Sequence, residues 1–357
     1  MKNIYLQIPD EESLKTRLVL ATVTRTQGST PQKPGSSALF SEKGLLHGTV
    51  GGGVVEGRIH NSAREALKSG KSGHFTFNLN NDISDTGEAI CGGTITVLLD
   101  ADPSKSITVF RQISDSLKSR IPGVLITMVT DHDDSSVLIN RYWMSNQSIA
   151  RIQKEFLEKI SPVVTDQISK GNCSDYREMT LSLPGEEPSS LFLLEPVFPP
   201  DQLIIAGAGH IGRALAHLGS LLGFEVTVVD NRSEYANMEN IPDADHIIVK
   251  DIGLALHELK KVDDTYVVIV TRGHKDDAEA LKPCIGSDLA YTGMIGSRNK
   301  VNAMRDSFLE KGIATKEQWE RIYTPVGLEI GSQTVEEIAV SIAAQLIQVR
   351  NGRLKAE

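Results

Sequence analysis

Residues 202–219, QLIIAGAGHIGRALAHLG, run from an unbroken apolar stretch through three glycines into a helical pattern, an order that few folds accept. Gly207 allows a tight turn, Gly209 lets the backbone approach a bound group, and Gly212 lets the following helix pack closely on the preceding strand. The helix N-terminus aims N–H groups and the positive end of its dipole at the same point, which suits a phosphate. A second apolar run, Phe224 to Val229, ends in Asp230, placed where a carboxylate can accept hydrogen bonds from a ribose 2′-hydroxyl. His210 adds an imidazole at the first helical turn, beside the expected phosphate.

The pattern downstream alternates between strand and helix. Strands are expected at Leu203–Ala206, Glu225–Asp230, His246–Lys250, Tyr266–Thr271 and Ala290–Ile295. Helices are expected at His210–Leu222, Gly253–Lys261, Asp276–Ile285, Arg298–Lys311 and Val335–Arg350. Short, β-branched strands separated by helices imply a parallel sheet covered on both faces, so residues 200–357 read as a Rossmann-like α/β domain. Three prolines between Glu195 and Gln202 mark a seam before it.

Upstream, residues 1–196 read as an α+β domain, with denser glycine clusters and less regular alternation. Strands are expected at Leu18–Thr24, Ser37–Phe40, Gly93–Leu99, Val124–Thr130, Val137–Tyr142, Glu178–Leu183 and Leu191–Leu194, and helices at Ser62–Ser69, Ile107–Arg120 and Gln147–Lys170. A formal charge of −9 opposes attraction to nucleic acid. No apolar run reaches the roughly 20 residues that span a bilayer, and the N-terminus lacks a secretory pattern, so a cytoplasmic protein is expected. Cys91, Cys173 and Cys284 are widely spaced and odd in number, which indicates neither a disulfide framework nor a structural zinc site.

Five further segments carry more glycine and small polar residues than packing requires. Thr24 to Phe40, TRTQGSTPQKPGSSALF, offers Gly28, Ser29 and neighbouring hydroxyls and cations to an anionic ligand. Gly48 to Arg58 places Gly51, Gly52 and Gly53 before a helical run, an anion nest with Glu56 in the first turn. In Ala89 to Val97, Cys91 precedes Gly92 and Gly93, which leave room beside a thiol that would be a soft metal ligand. Arg272, His274 and Asp277 follow a Rossmann strand and are expected to face the same crevice as His210. Ser297, Arg298 and Lys300 open another helix, where cations oppose the helix dipole unless an anion sits there. Each segment also has a plainer reading, as a tight turn, a solvated helix start or a buried small hydrophobe.

Taken in order, RTQGSTPQKPGS, GTVGGGVVEG, ICGG, GAGHIG, VTRGHKDD, YTGMIGSRNK and TPVGLEIGSQTVEEIAVSIAAQLI resemble the xanthine dehydrogenase accessory protein family, XdhC/CoxI type. The family's Gly-Ala-Gly-His element falls on Gly207 to His210. Its Thr-His-x-His-x-x-Asp element falls on Thr271 to Asp277, with Arg272 in place of the first histidine. Its Ile-Gly-Ser-Arg-x-Lys element falls on Ile295 to Lys300, and its Pro-x-Gly-x-x-Ile-Gly element on Pro325 to Gly331. The resemblance implies a chaperone that binds molybdenum cofactor (molybdopterin), supports its sulfuration with a cysteine desulfurase, and delivers it to a xanthine dehydrogenase-type molybdenum hydroxylase. Residues 102–190 carry no motif of that family.

From the residues themselves two other readings stay open. One is an NAD(P)-dependent oxidoreductase, with Asp230 on the ribose and His210 or His274 as acid–base. The other is a non-catalytic nucleotide sensor. The C-terminal stripe Ile338, Ile342, Leu346 and Val349 either caps its own domain, the default, or joins two chains as a homodimer.

Overall fold

Alternation of apolar side chains along the strands settles where each core lies, because successive residues point to opposite faces of a sheet. The computed structural model describes residues 4–13, 16–79, 93–132, 136–147, 154–171, 175–182 and 189–353. Its chain divides into two units, Lys2–Pro199 and Pro200–Glu357.

The first unit begins with α1 (Ile4–Ser13), β1 (Leu18–Gly28), β2 (Ser37–Ser41), β3 (Gly44–Gly48) and α2 (Gly53–Ser69). There follow β4 (Gly73–Asn78), β5 (Gly93–Asp100), α3 (Ile107–Lys118), β6 (Gly123–Asp131), β7 (Val137–Ser145), α4 (Lys154–Ser169), β8 (Arg177–Leu181) and β9 (Ser190–Val197). They build two antiparallel sheets, ordered β3-β2-β1-β5-β4 and β7-β6-β9-β8. The helix α2 covers the first sheet with Ile59, Ala63 and Leu67 against Val19, Ala21, Val97 and Leu99. The helix α4 packs Phe156, Ile160 and Val164 on Ile126, Phe192 and Leu194 of the second.

Polar groups are buried in this unit too. Arg141 forms an ion pair with Asp100, their side chains 2% and 6% exposed, and Tyr5 donates a hydrogen bond to Glu195 at 2.6 Å. Burial pushes the Glu195 carboxyl up from 4.5 to about 7, and the Tyr5 hydrogen bond and the Arg141 charge offset only part of that rise. Folding therefore favours protonated Glu195. Its contribution is fully present below the unfolded value of 4.5 and is lost as pH rises through about 7. Unfolding free energy is expected to fall by about 3 kcal/mol across that window from this group. Denaturant titrations at several pH values should show a flatter profile for Glu195→Gln, and an unchanged slope would place the dependence elsewhere.

The second unit consists of β10 (Gln202–Ala206), α5 (His210–Leu221), β11 (Glu225–Asp230), β12 (His246–Val249), α6 (Ile252–Glu258), β13 (Thr265–Ile269) and α7 (His274–Leu281). It closes with β14 (Tyr291–Met294), α8 (Arg298–Glu310), α9 (Lys316–Glu320) and α10 (Val335–Arg353). All strand pairs are parallel, in the order β12-β11-β10-β13-β14. On one face Leu203, Ile205, Val226 and Val268 meet Leu215 and Ala216 of α5 and Ile342 and Leu346 of α10. On the other, Ile204, Ala206, Val267 and Ile269 meet Leu256, Leu281, Met304 and Phe308. This is the expected doubly covered Rossmann-like sheet, preceded in the chain by an α+β unit.

The stripe of α10 is buried within its own unit, and Arg350 ties the helix down by donating to the Leu222 carbonyl at 3.1 Å. The sheet's last strand is extended by residues 323–326. Tyr323 N–H donates to Thr292 O at 2.9 Å, Met294 N–H to Tyr323 O at 3.0 Å, and Val326 N–H to Met294 O at 3.1 Å. Gly327, at φ +99°, then donates to Gln345 of α10 at 2.9 Å. The motif Pro325 to Gly331 therefore anchors the strand edge to α10.

Candidate phosphate-binding site

Ordering β10 at the centre, with β11 on one side and β13 on the other, creates a switch point at the carboxyl ends of these strands. The glycine turn sits there. Gly207 has φ +119°, and a Cβ on it would lie 2.6 Å from Val270 O, at the end of β13. Its N–H donates to Val229 O at 2.8 Å, so the turn is tied to the ends of both neighbouring strands. A Cβ on Gly212 would strike the Gly207 carbonyl oxygen well inside 3.0 Å. Gly212 thus brings α5 onto the turn and does not face a ligand.

Gly209 differs from both. It is the N-cap of α5, no side chain caps the helix there, and a Cβ on it would meet nothing within 4 Å. An open glycine at an uncapped helix start leaves amide donors facing space, the arrangement that takes a phosphate. His210 follows on α5 and is exposed. Beside it lies a cavity of about 570 Å³, lined by His210, Arg213, Ala214, His217 and Leu218 of α5, Asn240 to Asp243, and Val335, Glu336, Ala339 and Val340 of α10. His217 and Asp243 pair across it at 3.0 Å.

Asp230 lies where the sequence placed it, with its side chain 2% exposed, but not in the expected role. Its Oδ2 accepts from Ala208 N–H and Arg232 Nη2, both at 2.8 Å, and its Oδ1 from Arg232 N–H at 3.0 Å and Nε at 2.8 Å. Burial alone would raise this carboxyl, and those hydrogen bonds outweigh it and hold the group below the usual carboxylate range. A carboxylate offers roughly four lone-pair positions, and these contacts occupy them. Asp230 therefore holds Arg232 and the turn, and has no acceptor left for a ribose hydroxyl. Sequence reasoning missed Arg232, although a basic residue two positions after such an acid is a visible signal. Its guanidinium carbon stands 4.2 Å from the centre of the Tyr235 ring, and that of Arg272 stands 5.6 Å from the same point.

The remaining expected residues separate into two groups. Asp277 is fully buried, accepts from the Thr271 hydroxyl, and pairs with Lys300. The pair ties α7 to α8, and a buried carboxylate is retained only when paired and hydrogen-bonded in this way. His274 and Arg298 are exposed first residues of α7 and α8. The exposed Ser297 caps α8 by accepting from Lys300 N–H at 3.4 Å. Cys284 is buried, donates to Ala280 O, and burial pushes its thiol up to about 12, the state of an inert structural cysteine.

In the first unit Gly28 ends β1 at φ +75°, paired with Gly93, and Ser29 follows exposed. A Cβ on Gly93 would lie 2.5 Å from Gln27 O and 2.6 Å from Ser29 O. Gly93 is thus filled by the neighbouring strand and leaves no room for a ligand, contrary to expectation. Gly51 packs near Pro31, while Gly52, the N-cap of α2, and Gly53, its first residue, at φ +87° and +57°, face open space. Glu56 takes the Thr49 hydroxyl at 3.2 Å within the first turn. Cys91 and Gly92 lie outside the described residues, and among the described residues no cluster of three or more His, Cys, Asp or Glu could hold a metal.

The parallel sheet and its glycine turn define a Rossmann-like α/β protein. Residues 203–346 match the XdhC Rossmann domain and residues 14–78 the XdhC and CoxI family. The chain belongs to the XdhC and CoxI family. It is 28% identical over 334 residues to a Bacillus subtilis (strain 168) protein named as a probable xanthine dehydrogenase subunit, covering 93% of each chain. It is 37% identical over 151 residues to the uncharacterised protein YqeB of Escherichia coli (strain K12), covering 42% of this chain and 27% of that one. The crystal structure of a xanthine dehydrogenase from Bacillus halodurans superposes with a TM-score of 0.76 at 26% identity, over 99% of this chain and 97% of the other. No described helix is long and apolar enough to cross a membrane.

Proposed function

We propose that this protein carries molybdenum cofactor to a xanthine dehydrogenase-type molybdenum hydroxylase and, with a cysteine desulfurase, supports sulfuration of that cargo. Membership of the XdhC family supports an accessory role in xanthine dehydrogenase maturation. The observation that carries the binding step is the open turn at Gly207, Gly209 and His210 beside a cavity of about 570 Å³. Amide donors there fit the cofactor's phosphate, and the cavity's mix of imidazole, carboxylate and aliphatic surface fits a polar, flat pterin. Cys91 is the proposed thiol for the metal end. The four hydrogen bonds on Asp230 weigh against the NAD form of the oxidoreductase alternative, in which that carboxylate would take the ribose diol.

Purification from cells that make molybdopterin tests the proposal, with pterin read by fluorescence and molybdenum by elemental analysis. Gly209→Val puts a side chain into open space, so its melting curve should match that of the unchanged chain while most retained pterin is lost. Cys91→Ser should keep the pterin and lose molybdenum. Undiminished pterin in folded Gly209→Val would refute the phosphate assignment, and undiminished molybdenum in Cys91→Ser would remove Cys91 from the site.

A further inference from the structure

We infer that Arg232 and Tyr235, beyond the carboxyl end of β11, and Arg272, beyond that of β13, form a subsite for a phosphomonoester dianion. A nucleotide bearing a 2′-phosphate and the terminal phosphate of a pterin share this chemistry. The inference deepens the phosphate-turn reading above and rests on it.

An open parallel sheet binds ligands beyond the carboxyl ends of its strands, and the end of the second strand receives the part remote from the glycine turn. A carboxylate with free lone pairs there selects a ribose diol. Here Ala208 N–H, Arg232 N–H, Nε and Nη2 already fill Asp230, so an arriving hydroxyl donor finds no acceptor. Spare capacity lies instead with donors. Arg232 engages Asp230 through Nε and Nη2, which leaves N–H groups over, and its Nη1 is buried with no hydrogen-bond partner. Ligand contact falls to the accessible part of the Arg232 side chain, which is 22% exposed, and to the exposed Arg272 beside it.

Charge points the same way. Asp230 balances Arg232, whereas Arg272 is exposed and makes no ion pair with a described residue. Both guanidinium groups are held over the Tyr235 ring, at 4.2 and 5.6 Å, by attraction to its π face. The corner therefore presents guanidinium donors and the charge of Arg272, with the exposed Glu234 carboxylate close enough to act on Arg232 as its remaining acidic neighbour. Such a set matches an anion with several oxygens, and a monoester dianion gains more from it than a singly charged diester or a neutral diol.

The test uses the whole protein, unchanged and as Arg272→Gln, Arg232→Gln and Gly209→Val. Calorimetry compares 2′,5′-ADP with 5′-ADP, and fluorescence measures pterin retained from molybdopterin-producing cells. Binding of 2′,5′-ADP about tenfold tighter than 5′-ADP, falling to near parity in Arg272→Gln, supports the proposal with a nucleotide as the source. Parity between the nucleotides with loss of most retained pterin in Arg272→Gln supports it with a pterin as the source. Parity together with undiminished pterin overturns the proposal, as does a 2′,5′-ADP preference that survives both arginine substitutions. Arg232→Gln strips a buried carboxylate of its counter-charge and could fail to fold, so exposed Arg272 carries the decision. If Gly209→Val binds both ligands normally while Arg272→Gln weakens one, the turn assignment falls and the corner stands.

Discussion

Gly212→Ala is expected to destabilise the C-terminal unit by about 4 kcal/mol, near the upper end of overpacking penalties. Its melting midpoint should drop by roughly 10 °C. The added methyl would meet the Gly207 carbonyl oxygen and carbon, both backbone atoms in a turn that Val229 O and the end of β13 already hold. Neither side can rotate away. Gly219→Ala provides the comparison, because its methyl would lie 2.7 Å from Leu203 Cδ2 and 3.1 Å from Val226 Cγ2. These are side-chain methyls and not backbone, and the nearer one ends the longer Leu203 side chain, so the penalty should be clearly smaller. Thermal melts of both variants decide the point, and a Gly212→Ala curve that superimposes on the unchanged chain would show that the turn can shift.

Lys300→Ala is expected to cost about 4 kcal/mol, the range for removing one member of a buried ion pair. Asp277 is 0% exposed and would be left with only the Thr271 hydroxyl as a side-chain donor, whereas Lys300 is 27% exposed. Adding Asp277→Asn to the same chain should recover much of the loss, because the uncompensated charge is then gone. Urea unfolding of the two single variants and the double measures the coupling. Strict additivity would mean that the pair does not act as a unit.

The Rossmann-like half was legible almost element by element, since its strands are nearly continuous apolar runs and its glycines mark each turn. Only α9 was missed there, a helix of five residues too short to show a period. In the other half α1 carries an internal Pro9, and β4 shows a burial pattern with little alternation, so neither announced itself. β3 is a five-residue strand bounded by glycines, which reads equally well as a turn. Among site residues, Gly207 and Gly209 were placed from sequence because their conformational demands are local. Asp230, Asp277 and Lys300 were assigned to a ligand because residue type shows chemistry and not occupancy. Only the folded chain shows that Arg232 fills Asp230 and that Asp277 and Lys300 satisfy each other. Gly93 misled for the same reason, its vacant side being filled by a strand distant in sequence.

A parallel sheet normally ends in a strand whose outward N–H and C=O groups invite another chain. On the β14 side this invitation is withdrawn. Thr292 O and both main-chain groups of Met294 are taken by residues 323–326, and Gly327, Leu328 and Ser341 lock that segment to α10. A second copy of this chain therefore cannot lengthen the sheet there. Within this parallel sheet only the short β12 margin on the far side keeps such an edge, and protection of the β14 margin rests on the unit's own residues 323–353 remaining docked.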